Sequence, residues 1–553
     1  MTLSTLPVVP DATTASGTAA CAEPATVPTW WARSIDLTKQ AVARAARPDY
    51  EAWLTHVKPA SACVRPVRLA GTIATVEAAT GRLLAERSTA DMPDGVIYKP
   101  CGNRREKVCP SCSKLYQNDA YHVVRTGLIG GKGVPDEVAH HPAVFPTFTA
   151  PSFGEVHTRV VKRHTCARRT DCDCRPEPCH ARRDLSVCPH GIRLACFARH
   201  SNEDTRLGTP LCLDCYPYAA QAVWNLGAGE LWRRTTIAVN RYIRRLARQR
   251  GIPDVETFTN DGQIRQVPPV RLSFGKAAEM QRRGVVHFHA IVRLDGVDPF
   301  DPAAVVPPPP GIDAHDLVAA IDHATATIGY VTAAHPARPG GWYIGWGEQQ
   351  LTKVITVAGL GEVTDGQVAA YLAKYATKAT EITGHTSARL TNDTIDVYAD
   401  PTGTHVERLV AACWSLAHTR WRCPAALCQH HHTCPACVEH RAAKAAPTTT
   451  PFVRLRRWAH MLGFGGHFLT KSRRYSITFA LLRDNRVVYR RTQKAGPEQT
   501  APDTEPTTLV VNFLEFVGAG WRTPADAMLA NTSAQMAREH AENARQYLNT
   551  LAA

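Results

Sequence analysis

Val285-Val286-His287-Phe288-His289-Ala290-Ile291-Val292-Arg293-Leu294 decides how the chain is read. In a β-strand successive side chains point to opposite faces, so His287 and His289 share one face while Val286, Phe288, Ala290 and Val292 share the other. The stretch is expected to be a strand with an apolar back and two imidazoles in front. Two neutral imidazoles at that spacing can ligate one divalent ion together. A His-x-His strand specifies nothing alone, so its meaning depends on a third ligand and a nucleophile nearby.

Upstream, Val267 to Phe274 alternates in strand fashion and runs through Glu279-Met280-Gln281-Arg282-Arg283-Gly284 into the histidine strand, which predicts an antiparallel pair. A Glu279 carboxylate beside the imidazoles completes a two-nitrogen, one-oxygen set for Mg²⁺ or Mn²⁺, with positions left open for a phosphate. Glu155, His157 and Gln281 are alternatives for that third position. Downstream, Gln367 to Ala379 has a helical pattern in which Tyr371 and Tyr375 stand at i and i+4, as do Lys374 and Lys378. Two phenols flanked by ammonium groups suit attack on a phosphodiester, since cations lower the phenol pKa and offset phosphoryl charge. A tyrosine stripe that served core packing alone would not carry two lysines.

The rest of the composition fits such a task. The 553 residues exceed one core, so two to four domains are expected. Lysine and arginine number 64 against 49 acidic residues, a net charge of +15 that favours a polyanionic partner. No basic n-region with an apolar core precedes Trp30, and no apolar run is long enough to span a membrane, so the expected location is the cytoplasm and no membrane partner is expected. There the Cys-x2-Cys pairs among the 18 cysteines are read as zinc knuckles before disulfides.

Two Cys-x2-Cys turns, Cys109/Cys112 and Cys212/Cys215, are expected to supply four thiolates to one structural Zn²⁺. Between them lie Cys166, Cys172, Cys174, Cys179, Cys188, His190, Cys196 and His200, enough ligands for a second site; Cys188, His190, Cys196 and His200 are its candidate contributors, and spacing does not fix how the ligands pair. Cys423, Cys428, Cys434 and Cys437, with His430, His431 and His432 between them, form a third. The expected division is a disordered arm at 1–28, an N-terminal region with the first knuckle at 29–140, a core at 141–400 with a zinc-binding insertion near 160–216, a Cys/His-rich segment and linker at 401–450, and a basic, mainly helical region at 451–553. Arg282, Arg283, Lys471, Arg473 and Arg474 are the candidate DNA contacts.

Three stretches together resemble the rolling-circle replication initiators of the HUH endonuclease class: Phe145-Pro146-Thr147-Phe148-Thr149-Ala150-Pro151, His287-Phe288-His289, and Tyr371-Leu372-Ala373-Lys374-Tyr375. Longer blocks, such as Pro210-Leu211-Cys212-Leu213-Asp214-Cys215-Tyr216 and Gly465-Gly466-His467-Phe468-Leu469-Thr470-Lys471, resemble initiators of actinobacterial plasmids and integrative conjugative elements. The resemblance implies an α+β fold, a central antiparallel sheet with helices on one face. It also implies a single-strand endonuclease and ligase that acts on origin DNA, single- and double-stranded, with Tyr375 as the nicking residue. Some relatives keep a glutamate where this chain has Tyr371, which favours a second tyrosine transfer over hydrolysis for termination. Without a Gly-x4-Gly-Lys-Ser/Thr loop, strand separation falls to a host helicase, and a host polymerase extends the 3′-OH. The rival readings are a relaxase or transposase of the same class, and a zinc-dependent DNA-binding regulator without catalysis; common relaxases place the tyrosine before the histidines, the reverse of the order here.

Overall fold

A computed structural model describes residues 29–162, 174–182, 186–258, 262–301, 303–356, 363–378, 380–384, 389–417, 451–486 and 508–552. The chain forms two units, Cys101–Glu505 and a smaller one that joins Met1–Pro100 to Pro506–Ala553.

Along the larger unit run helix α1 (Pro110–Ile129), strand β1 (Ala143–Phe148), helix α2 (Tyr218–Gln249), strands β2 (Val270–Met280) and β3 (Val286–Gly296), and helix α3 (Ala314–Thr327). Strands β4 (Leu351–Thr356) and β5 (Val363–Thr364), helices α4 (Asp365–Ala376) and α5 (His405–Ala417), and strand β6 (Leu469–Lys471) follow. The strands make one sheet in the order β5-β4-β1-β3-β2-β6. All its pairings are antiparallel except the edge pair β4–β5, which is parallel. The fold is thus mixed α/β around an antiparallel sheet.

Helices cover both faces of this sheet, where cover on one face was expected. Phe148, Phe288, Ala290 and Val292 pack with Trp224, Leu231 and Trp232 of α2 and with α3. On the other face Ala143, Ala277 and Ile291 pack with Val124 and Leu128 of α1 and with Val368, Ala369 and Leu372 of α4. The reason lies in β3 itself: Ile291 shares the histidine face, so that face needs apolar cover as well. Farther along the same face Arg293 and Asp295 are fully buried and paired at 2.7 and 2.9 Å, with His141 2.8 Å from the same carboxylate.

Between β1 and α2 the described residues form no helix or strand, only isolated bridges such as Val156 with Pro210 and His180 with Cys196.

The smaller unit differs from the expected helical C-terminus. Thr508–Ala519 is a strand paired antiparallel with Val67–Glu77 along its whole length, and Leu83–Ser88 and Ile97–Lys99 also pair with Val67–Glu77. Helices Thr29–Ala45, Tyr50–Val57 and Pro524–Ala552 accompany that sheet. Residues 451–486 belong to the larger unit, so the expected region 451–553 is divided between the two.

Candidate metal and nucleophile site

Register brings the carboxylate to the histidines. In the β2–β3 pair Glu279 lies directly opposite His287, and Ala277 opposite His289. Glu279 Oε2 is 2.7 Å from His287 Nε2 and 3.0 Å from His289 Nε2, and the two nitrogens are 3.1 Å apart. Ligand atoms held about 2.1 Å from one octahedral ion stand about 3 Å from each other, so this donor set fits a divalent cation. Among the described residues it groups as a potential metal site.

The surroundings orient both rings. Thr147 of β1 pairs with His289 in the sheet, and its Oγ1 lies 3.1 Å from His289 Nδ1. Phe145, two residues earlier on the same face, stacks on that imidazole with centroids 6.0 Å apart and planes at 16°. Gln281 Nε2 donates to His287 Nδ1 at 3.2 Å, and its Oε1 accepts from Arg283 Nε at 2.9 Å. His287 Nε2 then carries the proton shared with Glu279, and a cation taken up here displaces it.

Helix α4 delivers the phenols. It begins in a capping box formed by Thr364 and Gln367, and Arg125 of α1 pairs with its Asp365 at 3.0 Å. Val368, Ala369 and Leu372 bury one side, which turns Tyr371 and Tyr375 onto the histidine face of the sheet. Tyr371 OH is 3.2 Å from His289 Nε2, while the Tyr375 ring stacks on His289 at 5.7 Å with planes at 29°. The two phenol rings are 4.7 Å apart. Arg104 Nη1 donates to the carbonyls of Ala376 and Lys378 at 2.9 and 2.8 Å, closing the helix end. Nothing in the sequence pointed to Arg104, which lies more than 270 residues away from its partners.

Charge at the site runs against one expectation. Burial pushes the Glu279 carboxyl up, but the hydrogen bonds and charges of His287 and His289 outweigh it and hold the group at about 2. Burial lowers the His289 pKa, opposed by Glu279. Burial, then the Glu279 charge, raises Tyr371 to about 12 and Tyr375 higher still. The lysines do not bring the phenols down: Lys374 is exposed, and Lys378 Nζ lies 5.3 Å from the Tyr375 ring centroid. Neutralisation of Glu279 would remove only the second of these causes, and burial, the larger, would remain.

A family model described as the replication initiator protein of pSAM2 matches residues 49–535. The chain belongs to this family of replication initiator proteins. A replication initiator protein of Streptomyces ambofaciens is 34% identical over 511 residues, covering 91% of this chain and 94% of that protein. No solved structure matches.

In this family member the cysteines group differently from expectation. Cys109 and Cys112 lie with Cys101, whose Sγ is 3.7 Å from that of Cys112, while Cys212 and Cys215 lie with Cys188 and His190. The two Cys-x2-Cys turns cannot share an ion, because Cys109 caps the start of α1 on one face of the sheet and Cys215 precedes α2 on the other. Cys196 stands apart from Cys188, with His157, Cys179 and His200. His157 thus belongs to that group, and Glu155 pairs with His180 and Arg182 at 2.9 and 2.6 Å, so neither joins the Glu279 set. Cys423, Cys428, Cys434 and Cys437 lie outside the described residues.

The basic candidates also separate. Arg473 and Arg474 are exposed beside β6. Arg282 is exposed but donates to the Asn202 carbonyl at 2.6 Å, and half-buried Arg283 is committed to Gln281. Lys471 folds over a turn, donating to the Ser476 carbonyl at 2.7 Å. Arg283 and Lys471 are thus better suited to holding loops than to contacting phosphates. No described helix is long and apolar enough to cross a membrane.

Proposed function

We propose that this initiator nicks one strand of its origin by tyrosine attack at the Glu279–His287–His289 site, in the manner of HUH endonucleases. One observation carries the reading: two phenols on one helix meet the same imidazole that shares a carboxylate oxygen with a second imidazole. The HUH assignment of the fold belongs to this proposal, supported by a strand that carries both histidines at the sheet centre.

Glu279, His287 and His289 would hold Mg²⁺ or Mn²⁺, which when bound supplies positive charge to offset Glu279 and polarise the scissile phosphate. Tyr375 attacks phosphorus, forming a phenolate O–P bond and breaking the P–O3′ bond. The phenolic proton passes to solvent, and the departing 3′-oxygen takes one up. The product is a 5′-phosphotyrosine and a 3′-OH that a host polymerase can extend once a helicase opens the duplex. Tyr371 makes the second attack, and the freed 3′-OH then reseals the strand at the Tyr375 phosphotyrosine. Phe145 and Thr147 fix the His289 ring throughout, and Arg473 and Arg474 offer charge for DNA phosphates.

The test is to tile single-stranded DNA from the encoding element against the full-length protein with Mg²⁺ or Mn²⁺. A denaturation-resistant DNA–protein adduct at one position is expected. If Tyr371→Phe and Tyr375→Phe, singly and together, leave that adduct unchanged, the nicking proposal fails and a non-catalytic DNA-binding role stands in its place.

A further inference from the structure

The segment between β1 and α2 has two ligand groups but no regular secondary structure among its described residues. A stretch of this kind cannot bury enough apolar surface to hold itself, so something else must fix it. We infer that His157, Cys179, Cys196 and His200 bind a structural Zn²⁺, distinct from the ion site of Cys188, His190, Cys212 and Cys215. We further infer that this zinc holds the turn that carries Gln281 against His287.

The ligand atoms of the first group all lie within 4.8 Å of one another. His157 Nδ1 is 3.3 Å from His200 Nε2, Cys196 Sγ 3.6 Å from the same nitrogen, and Cys179 Sγ 3.8 Å from His157 Nδ1. Two thiolates and two imidazoles are a common tetrahedral zinc set. The outer contacts match one as well. His200 Nδ1 meets Asp204 Oδ2 at 2.7 Å, a carboxylate that fixes the tautomer with Nε2 bare, and the Thr158 amide donates to Cys179 Sγ at 3.2 Å.

The chain leaving His200 then reaches the hairpin turn of the candidate nicking site. Arg282 donates to the Asn202 carbonyl at 2.6 Å. Gly208 lies so close to the backbone that a Cβ there would stand 2.7 Å from Arg282 C and Arg283 N. Its N–H donates to the His157 carbonyl at 2.8 Å, so the same residue joins a zinc ligand to the turn. From the turn, Gln281 reaches His287 Nδ1 at 3.2 Å. Loss of the zinc should therefore loosen residues 281–284 first.

Zinc content of the full-length protein tests the site independently of DNA cleavage, so failure of the nicking proposal would leave this result untouched. Cys196→Ser and Cys212→Ser should each lose about one Zn²⁺ per chain, and the double variant about two. In wild-type protein, Cys179 and Cys196 should resist iodoacetamide until zinc is chelated, a measurement that needs no variant to fold. Hydrogen exchange at residues 281–284 should then quicken by about tenfold or more on chelation. Wild-type zinc content in Cys196→Ser, or equal alkylation of Cys179 and Cys196 with and without chelator, overturns the site. Unchanged exchange at 281–284 after zinc removal overturns its hold on the turn.

Discussion

Tyr375 lies stacked on His289, ring centroids 5.7 Å apart and planes at 29°, while Tyr371 meets the same imidazole edge-on at 4.8 Å. The two phenols thus approach one ring from different directions, which suits them to different steps. Tyr375→Phe should reduce single-turnover cleavage by about a thousandfold or more, the scale lost with a covalent nucleophile. Tyr371→Phe should still form the first adduct but fail to release a closed product. Denaturing gels of labelled DNA, run on a single-turnover time course, distinguish the two. Equal loss in both variants would overturn the division of labour.

Glu279 supplies the site's only carboxylate among the described residues, and its oxygen meets both imidazoles. Glu279→Gln keeps the shape and removes the charge. Mn²⁺ affinity, read by electron paramagnetic resonance, should fall by about 100-fold or more. Thr147→Val removes the group that meets His289 Nδ1, and a second-sphere change of that kind should cost about 10- to 100-fold. Native affinity in Glu279→Gln would mean that the histidines do not share an ion with it.

Much of this geometry was legible in the sequence, for local reasons. Glu279 and His287 flank one tight turn, so hairpin register alone sets them opposite each other. Tyr371 and Tyr375 share a face by helical spacing. Contacts fixed by distant packing were not legible: Cys-x2-Cys spacing does not say which face of a sheet each turn will occupy, and nothing near Thr508 announces pairing with Glu77. Cover on both faces had a signal in Ile291, which shares parity with His287 and His289.

The buried Arg293–Asp295 pair makes a stability prediction. Both side chains are fully buried and joined by two hydrogen bonds, and Ser273 and His141 meet the same carboxylate. Removing one partner leaves a buried charge without compensation, at a cost of about 3–5 kcal/mol. Asp295→Asn should lower the urea midpoint of the larger unit by a corresponding amount, with the denaturant slope unchanged. A midpoint near wild type would show that the Gly127 and Tyr475 carbonyls, which Arg293 Nη1 already meets, suffice for the buried charge.

His405 gives a pH dependence with a definite sign. It is buried at the start of α5, and its Nε2 lies 3.0 Å from the Arg283 carbonyl in the turn below the candidate site. Burial pushes its pKa from 6.5 down to about 4, against the pull of that carbonyl. Above pH 6.5 the ring is neutral in folded and unfolded chains, so it makes no pH-dependent contribution there. As pH falls from 6.5 to about 4, the unfolded chain takes up the proton and the folded one does not, so stability falls with pH across that window. The loss is on the order of 3 kcal/mol by the bottom of the window. His405→Gln retains a donor for the Arg283 carbonyl but cannot titrate. Urea midpoints of wild type and variant should differ in slope between pH 4 and 6.5 and run parallel above it. Parallel curves throughout would show that the ring gains a proton as readily folded as unfolded.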